Sequence, residues 1–350
     1  MTHSERIPVS VLTGFLGSGK TTVLNHLLGN PAMAGSMVIL NEFGEIGLDH
    51  ELAESATDDM VLLQSGCLCC TVRSDMIETL QDLLGRRRAG ELAFDRIVIE
   101  TTGLAEPGPI LQALTTEPEV AEALALDGVI TTVDAVLGTA TLESHVEAVK
   151  QAAVADTLLL TKTDIADAVQ CTELRRRLRA LNPGAPVIET VAGRIDPGRV
   201  LGGGAPESSG ARFDPGRWLG VAESDEAGHD HDARHAQGHD INRHDAHISA
   251  ACLTIEEEVP GEALDRWLSS LFLLRGPDLL RYKAIVNVAG LAGPVVLHGV
   301  QHVIHPPVQL ADWPGPDRRT RMVFITRDID AETLRASLAE ITGKPVALTP

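Results

Sequence analysis

The sequence predicts an α/β protein: a P-loop NTPase domain with a doubly wound, mainly parallel sheet, followed by a smaller C-terminal α+β domain. Three observations favour this fold. A glycine-rich stretch at 14–22 follows a strand-like apolar run and leads into a helical run. Short apolar runs then alternate with helical patterns as far as residue 189, which is typical of right-handed βαβ units. After a Gly-rich and His-rich stretch, a second set of strand and helix patterns begins near residue 248.

The composition limits the partners that we expect. The chain has 350 residues, of which 29 are basic and 49 acidic, so its formal charge is −20. A surface this acidic repels nucleic acid and anionic membranes, and we expect neither as a partner. The apolar runs are too short to span a bilayer and no secretory leader is recognisable, so we expect a cytoplasmic protein. We divide the chain into domains at 1–200 and 247–350, joined by a flexible linker at 201–246.

The stretch at 14–22 reads GFLGSGKTT and matches the phosphate-binding pattern GxxxxGK[ST]. Its backbone N–H groups can surround phosphates, Lys20 adds a cation, and the Thr21 hydroxyl can ligate Mg²⁺. A chance glycine loop is the alternative, but a strand before and a helix after are the context that this motif requires. The residues predicted here to bind a nucleotide are Gly14, Gly17, Ser18, Gly19, Lys20, Thr21 and Thr22.

Two strand ends near the P-loop carry candidate switch residues. One apolar run opens into NEFGEIGLD at 41–49, which contains Glu42. Another ends in ETTG, where Glu100 can hold Mg²⁺ through water and Gly103 can offer its N–H to a γ-phosphate. An ordinary acidic loop is the alternative at 41–49, but carboxylates at strand ends beside a P-loop favour the switch.

Three cysteines between these segments predict metal chemistry. Cys67, Cys69 and Cys70 lie in the sequence GCLCCT. Thiolates at this density select Zn²⁺ or Cu⁺, and three of them leave one tetrahedral position open. The spacing is not that of a structural zinc finger, so a buried or redox-active cysteine group remains an equal alternative on this evidence.

The remaining elements of the first domain follow in order. Strand-like runs lie at 128–133, 157–160 and 187–189, and helical runs at 75–88, 142–154 and 171–181. The run at 157–160 ends in TKTD, which resembles the NKxD element of P-loop GTPases. By that resemblance, Asp164 pairs with guanine and the Lys162 stem lies along the base. Thr161 stands where that element has Asn, which changes one supporting contact.

The linker is rich in histidine. His229, His231, His235 and His239 lie in a tract at 228–247 that also contains several aspartates. Imidazoles on a flexible chain provide weak, exchangeable sites for Zn²⁺, Ni²⁺ or Co²⁺, and a polar spacer without function is the alternative. In the second domain we expect strands at 248–256, 280–288, 295–302 and 321–326, the first of them an edge strand, and helices at 262–274 and 331–341. His298, His302 and His305 fall in this part, and we expect structural roles for them.

Four motifs occur in the order GFLGSGKTT, NEFGEIGLD, GCLCCT and ETTGLAEP. They resemble the CobW-type P-loop GTPases, relatives of the GTPases that insert nickel into urease and hydrogenase. The stretch that ends in WPGPDRRTRMVFITRD is similar to the second domain of that family, so the resemblance covers almost the whole chain. Glu106 stands where the family usually has Asp.

The resemblance implies GTP hydrolysis with Mg²⁺, coupled to the delivery of zinc, or in some members cobalt, to a client metalloenzyme or apo-protein. It leaves homodimerisation open. The implied roles are as follows: Lys20 and Thr21 serve phosphate and Mg²⁺, Glu42 and Glu100 support the water and Mg²⁺, Asp164 reads guanine, and Cys67, Cys69 and Cys70 bind the metal cargo.

Two other functions fit part of the sequence. A metal buffer or sensor would use the nucleotide site to tune metal affinity without delivery driven by turnover. An ATP-dependent small-molecule kinase would use the P-loop but neither the cysteines nor the histidine tract. GTP hydrolysis that a client stimulates would distinguish a metallochaperone from the metal buffer or sensor. The preference for one base over the other would distinguish it from the ATP-dependent kinase.

Overall fold

The computed structural model describes residues 6–42, 60–64, 69–201, 218–219, 247–301 and 303–349, without the side chains of 41–42, 60–64 and 69–72. The predicted histidine sites and Cys67 therefore lie outside the described residues. Within them, no helix is long and apolar enough to cross a bilayer.

The first sheet is parallel and doubly wound, as predicted. Its strands are β1 (Ile7–Gly14), β2 (Ser36–Glu42), β3 (Met60–Gln64), β4 (Arg96–Glu100), β5 (Leu124–Asp134), β6 (Thr157–Thr161) and β7 (Val187–Glu189). They lie in the order β3-β2-β4-β1-β5-β6-β7. All of these pairings are parallel, so the carboxyl ends of the strands meet at one edge, where ligands bind in folds of this class.

Helices connect these strands. They are α1 (Lys20–Leu28), α2 (Cys69–Arg88), α3 (Gly108–Thr116), α4 (Pro118–Ala123), α5 (Gly138–Ser144), α6 (Val146–Val154), α7 (Ala168–Leu181) and α8 (Pro197–Val200). The prediction of a single helix at 142–154 is wrong, because the backbone of His145 is extended (φ −133°) and separates α5 from α6. The sequence patterns also missed α3 and α4, where prolines occupy the first turns.

The second sheet is antiparallel. Its strands are β8 (Ile248–Ile255), β9 (Leu279–Val286), β10 (Val295–Val300), β11 (Val303–Ile304), β12 (Val308–Gln309), β13 (Thr320–Arg327) and β14 (Ala347–Thr349). Helices α9 (Gly261–Arg275) and α10 (Ala331–Thr342) complete this part. The expectation that β8 is an edge strand is wrong, because β14 pairs with it. Its alternating pattern reflects burial of one face, which an inner strand of an antiparallel sheet also has.

The two sheets share a hydrophobic core. Leu280 and Val300 of the second sheet belong to the same buried cluster as Ile110 and Leu114 of α3. The two parts also approach closely at Gly108, where an added Cβ would lie 1.9 Å from Oε1 of Gln301. The first turn of α3 therefore lies directly against the turn between β10 and β11.

An ionic cluster also joins the two sheets. Asp156, which precedes β6, accepts a hydrogen bond from Nη2 of Arg281 and lies 3.1 Å from Nζ of Lys283. Burial alone would raise the pKa of Asp156, but Arg281 and Lys283 outweigh it and hold this pKa below its ordinary value. Burial lowers the pKa of Lys283 to about 8, against the opposing effect of Asp156. At neutral pH the cluster therefore consists of one carboxylate and two cations.

Two histidines lie next to this cluster. The rings of His298 and His305 are stacked at 4.0 Å between centroids, and both residues are buried. Burial, and then the neighbouring positive charges, lower the pKa of His298 well below its ordinary value and that of His305 to about 4. We therefore assign neutral rings to both at physiological pH, in keeping with the structural roles expected for them.

Candidate nucleotide and metal site

The P-loop joins β1 to α1 at the carboxyl edge of the parallel sheet. Gly14, Gly17 and Gly19 all have positive φ angles, of 142°, 72° and 93°. At Gly14 an added Cβ would lie 2.3 Å from Oγ1 of Thr132, so the residue is glycine for reasons of space as well as conformation. Oγ of Ser18 is bonded to the same Thr132 hydroxyl at 2.7 Å, which ties the loop to β5.

Lys20 is buried at the start of α1 and points back into the loop. Its Nζ donates to the carbonyl oxygens of Gly14 at 2.9 Å and Phe15 at 3.2 Å. Burial lowers the pKa of Lys20, and the field of Glu100 opposes this effect. A desolvated cation at a helix N-terminus suits the binding of an anionic phosphate chain.

Thr21 and Glu100 form the second part of the site. Oγ1 of Thr21 donates to Oε1 of Glu100 at 3.0 Å, because β1 and β4 are paired and bring the strand end beside the first turn of α1. A hydroxyl and a carboxylate are hard oxygen donors of the kind that Mg²⁺ prefers. These two residues therefore have the donor chemistry that would hold a magnesium ion, which would neutralise charge on a bound phosphate chain.

The predicted guanine element follows β6 and contacts the P-loop. The Thr161 hydroxyl donates to the carbonyl of Ser18 at 2.7 Å, so the residue that replaces Asn still joins this element to the loop. Nζ of Lys162 donates to the carbonyl of Gly17 at 2.8 Å and to Asp134 at 2.7 Å. Asp164 is exposed and can be reached by a base.

Asp134 was not among the predicted site residues. It ends β5, and its Oδ1 accepts from the N–H groups of Val136 at 2.8 Å and Leu137 at 3.2 Å while its Oδ2 holds Lys162. The sequence signal was an acidic residue at the end of a buried strand, the same signal that identified Glu100. Thr22, which was predicted, is exposed in the first turn of α1.

The segment after β4, the predicted second switch, lies against the P-loop. Thr101 donates its N–H to Leu12 at 2.9 Å and its hydroxyl to Thr13 at 2.8 Å. At Gly103 an added Cβ would lie 2.6 Å from the backbone nitrogen of Leu16. Any other residue at 103 would therefore push this segment away from the loop that holds the phosphates.

The predicted first switch and the cysteines are described only in part. Glu42 ends β2, and its side chain lies outside the described residues together with 43–59. Cys69 and Cys70 begin α2, so the helix starts six residues earlier than the pattern at 75–88 indicated. Cys67, the side chains of these two cysteines and the linker residues His229, His231, His235 and His239 lie outside the described residues. Elsewhere, the described side chains include no group of three or more His, Cys, Asp or Glu that could hold a metal ion.

A cavity of about 200 Å³ lies beside the P-loop, between β5 and the helices α5 and α6. Its lining includes Phe15, Leu16, Leu142 and Gln151. The ring of His145 stacks on Phe15 at 4.4 Å and an interplanar angle of 29°. This cavity was not anticipated from the sequence, because its walls come from residues more than a hundred positions apart.

Comparison with known proteins agrees with this geometry. Residues 8–189 match the family described as "CobW/HypB/UreG, nucleotide-binding domain", and residues 248–342 match "Cobalamin synthesis protein cobW C-terminal domain". The chain belongs to the CobW family. This confirms the resemblance and places the chain among the P-loop GTPases, which is the enzyme class that the motifs predicted.

Relatives of similar length carry the name of zinc chaperones. The chain is 33% identical over 337 residues to the zinc chaperone YjiA of Escherichia coli strain K12, covering 95% of this chain and 98% of that protein. It is 31% identical over 373 residues to the zinc chaperone CobW of a Sinorhizobium species, covering 97% and 98%. A crystal structure of Zn(II)-bound YjiA GTPase from E. coli superimposes with a TM-score of 0.71 at 29% identity, covering 96% of this chain and 99% of that one. This CobW protein is therefore similar to zinc-binding relatives over both of its sheets.

Proposed function

We propose that this chain is a GTP-hydrolysing metallochaperone that carries zinc on Cys67, Cys69 and Cys70 and transfers it to a client protein. The observation that carries the proposal is the hydrogen bond between Thr21 and Glu100 at the edge of the sheet where α2 also begins with Cys69. Because parallel strands share one carboxyl edge, the start of α2, which follows β3, and the P-loop, which follows β1, belong to the same edge.

The nucleotide part of the proposal assigns one task to each group. Lys20 neutralises the β- and γ-phosphates, and the N-terminus of α1 adds N–H donors. Thr21 and Glu100 would hold Mg²⁺, which when bound neutralises charge on the phosphate oxygens. Glu42 supports the attacking water, and the N–H of Gly103 contacts the γ-phosphate.

Guanine recognition is assigned to the element after β6. Asp164 is exposed, as a residue that pairs with a base must be. Lys162 has a positive φ of 57° and is held by Gly17 and Asp134, which directs its stem along the mouth of the P-loop. A titration of GTP in competition with ATP tests this assignment, and equal affinities for the two nucleotides would contradict it.

Zinc is the cargo in this proposal, with cobalt as the alternative ion. Three thiolates bind Zn²⁺ tightly and leave a position through which a client ligand can attack. The linker residues His229, His231, His235 and His239 would supply weak capture sites for the same ion. The names of YjiA and of the Sinorhizobium relative support zinc, since both are called zinc chaperones.

The experiment that tests cargo binding uses untagged full-length protein and elemental analysis, with and without GTP. A variant in which Cys67, Cys69 and Cys70 are all changed to serine should lose the tight zinc equivalent and still bind GTP. The matched control deletes 228–246, which should lower zinc stoichiometry in excess metal but leave one tight equivalent. If the deletion removes the tight equivalent and the serine variant keeps it, the assignment of the cargo site to the cysteines is wrong.

A further inference from the structure

The buried side chain of Gln151 holds the segment that follows β4. Gln151 lies on α6 and is 1% exposed. Its Nε2 donates to the carbonyl of Gly103 at 3.1 Å and to that of Ala105 at 3.0 Å. Gly103 ends the predicted second switch at 100–103, and Ala105 follows it by two residues. An amide that donates twice to one short loop fixes the orientation of the loop's peptide groups.

The orientation of this amide is determined by its surroundings. If it were reversed, Oε1 would face two carbonyl oxygens, so the NH₂ group must point at the loop. Oε1 then finds no hydrogen-bond partner among the described residues, although it is buried. A buried acceptor without a partner is destabilising, and such groups in native proteins are often linked to function. Gln151 also lines the cavity beside the P-loop.

The helix that carries Gln151 is attached to the strand that also supports the P-loop. The hydroxyl of Thr131 donates to the backbone carbonyl of Gln151 at 2.8 Å. The next residue, Thr132, is bonded to Oγ of Ser18 in the P-loop at 2.7 Å. Gln151 and the phosphate-binding loop are therefore anchored to adjacent residues of β5, which fixes the distance between them.

We propose that Gln151 is a positioning residue for GTP hydrolysis, an inference that rests on the function proposed above. It holds the carbonyl of Gly103 while Leu16 blocks that glycine on its other side. With its carbonyl held and Leu16 close beside it, Gly103 keeps one backbone conformation, and this holds in place the N–H that the proposed function assigns to the γ-phosphate. GDP has no γ-phosphate, so its binding does not depend on this contact.

The first test is Gln151→Met, which keeps the length of the side chain and removes both donors. Because small errors in the placement of reacting groups have large effects on rate, kcat for GTP should fall roughly 10- to 100-fold. KM for GTP should rise by a smaller factor than kcat falls, and Kd for GDP should not change, since GDP lacks the γ-phosphate that this segment senses. Steady-state kinetics and calorimetric titration with GDP measure the three quantities.

The second variant, Gln151→Glu, provides a readout that a purely structural role would not give. An ionised carboxylate facing two carbonyls cannot donate, but a protonated carboxyl can donate to one of them. Burial raises the pKa of such a carboxyl. The ratio of kcat in Gln151→Glu to kcat in the wild type should therefore rise as the pH is lowered from 8 towards 6, whereas the same ratio for Gln151→Met should stay flat.

The matched control is Asn182→Leu. The amide of Asn182 is equally buried and donates to the carbonyls of Ala152, Ala153 and Ala155, at the C-terminal end of the same helix and, among the described residues, without a hydrogen bond to the segment after β4. This variant should lower the melting temperature and leave kcat unchanged in the folded protein. If Gln151→Met also lowers the melting temperature without changing kcat, Gln151 has a structural role only and the inference is overturned.

A failure of the proposed GTPase function gives a different result from a failure of the proposal for Gln151. If the wild-type protein binds GTP without any turnover, the metallochaperone GTPase is wrong. Gln151 is then judged by the ratio of affinities for GTPγS and GDP in the wild type and in Gln151→Met. A reduced ratio in the variant supports the contact between Gln151 and the γ-phosphate-sensing segment, and an equal ratio refutes it.

Discussion

Two buried lysines lie at opposite edges of the parallel sheet, and their surroundings differ. Lys20, at the carboxyl edge, makes its hydrogen bonds with the carbonyl oxygens of Gly14 and Phe15. Lys283, at the amino edge, contacts the carboxylate of Asp156 and two further carbonyl oxygens from other parts of the chain. Burial lowers the pKa of both lysines.

These surroundings distinguish Lys20, which we propose binds a ligand, from Lys283, which has a structural role. The carboxylate beside Lys283 compensates its charge within the protein, so this lysine holds two sheets together. Lys20 makes its hydrogen bonds with carbonyl dipoles and feels Glu100 only through its field, so under the proposed function a phosphate chain completes the compensation of its charge. A buried cation that relies on carbonyl groups is therefore a better indicator of a ligand site than a buried cation with its own carboxylate.

Removal of the carboxylate from the interface should have the largest effect. Asp156→Asn leaves Arg281 and Lys283 buried without a counter-charge, which should lower the free energy of unfolding by about 3–5 kcal/mol. Urea denaturation measures this loss. The control is Glu173→Gln, which breaks an exposed ion pair with Arg176 and should cost less than about 1 kcal/mol. Equal losses in the two variants would show that the buried cluster is no more important than a surface pair.

The histidines beside the cluster should make the protein sensitive to acid. His305 is neutral in the fold until about pH 4 but binds a proton near pH 6.5 when unfolded. The unfolded state therefore binds more protons between these values, and stability falls as the pH is lowered through them. The shift corresponds to about 3 kcal/mol, so the wild type should lose about that much more than His305→Phe between pH 7 and pH 4. Denaturation curves at both pH values test this, and parallel losses would contradict it.

Substitution of Lys20 should affect binding and not folding. Lys20→Ala should weaken GTP binding roughly 100-fold, or about 2.7 kcal/mol, because a charge-assisted contact to phosphate is lost. The free energy of unfolding should stay the same or rise, since a desolvated cation is removed. Titration with GTP and urea denaturation measure the two effects. A large loss of stability would place Lys20 in the same structural class as Lys283.

The smallest predicted effect is the coupling between nucleotide and metal. The cysteine segment lies between the two predicted switches in the sequence, so GTP with Mg²⁺ should change zinc affinity by about 5- to 150-fold, or 1–3 kcal/mol. Zinc must change GTP affinity by the same factor. We expect tighter zinc binding with GTP and weaker binding with GDP. A chelator competition with GDP and with a non-hydrolysable GTP analogue measures this, and identical dissociation constants would favour a passive metal buffer.

Local chemistry explains why much of the first sheet could be predicted. The P-loop pattern predicts a strand, a loop and a helix in that order. Gly14 must adopt a loop conformation after the strand, and Lys20 must point back into the loop from the start of the helix. The strands at 96–99 and 157–160 were recognisable because buried parallel strands are short and apolar throughout. Thr21 and Glu100 were each predicted from their own motif to serve Mg²⁺, and the structure shows that they are hydrogen-bonded at this edge.

The parts that could not be predicted depend on distant contacts. Asp156 and Arg281 are 125 residues apart, and each reads in the sequence as an ordinary surface charge. The role of Gln151 could not be predicted for the same reason. An amide side chain in a helix is usually exposed, and only the fold brings Gly103 within hydrogen-bond distance of this one. The break at His145 was missed for a related reason, since the apolar period continues across it although the backbone does not.

The arrangement of Asp156 with Arg281 and Lys283 has a consequence for the evolution of the chain. Asp156 precedes a strand of the first sheet, whereas Arg281 and Lys283 lie in the second sheet. The buried charges therefore stay compensated only in a chain that has all three residues. Recombination that exchanged the second sheet alone between distant relatives would bury charges without partners unless the set were shared. The two halves of this protein are therefore expected to diverge as a single unit, even though each has the size of an independent module.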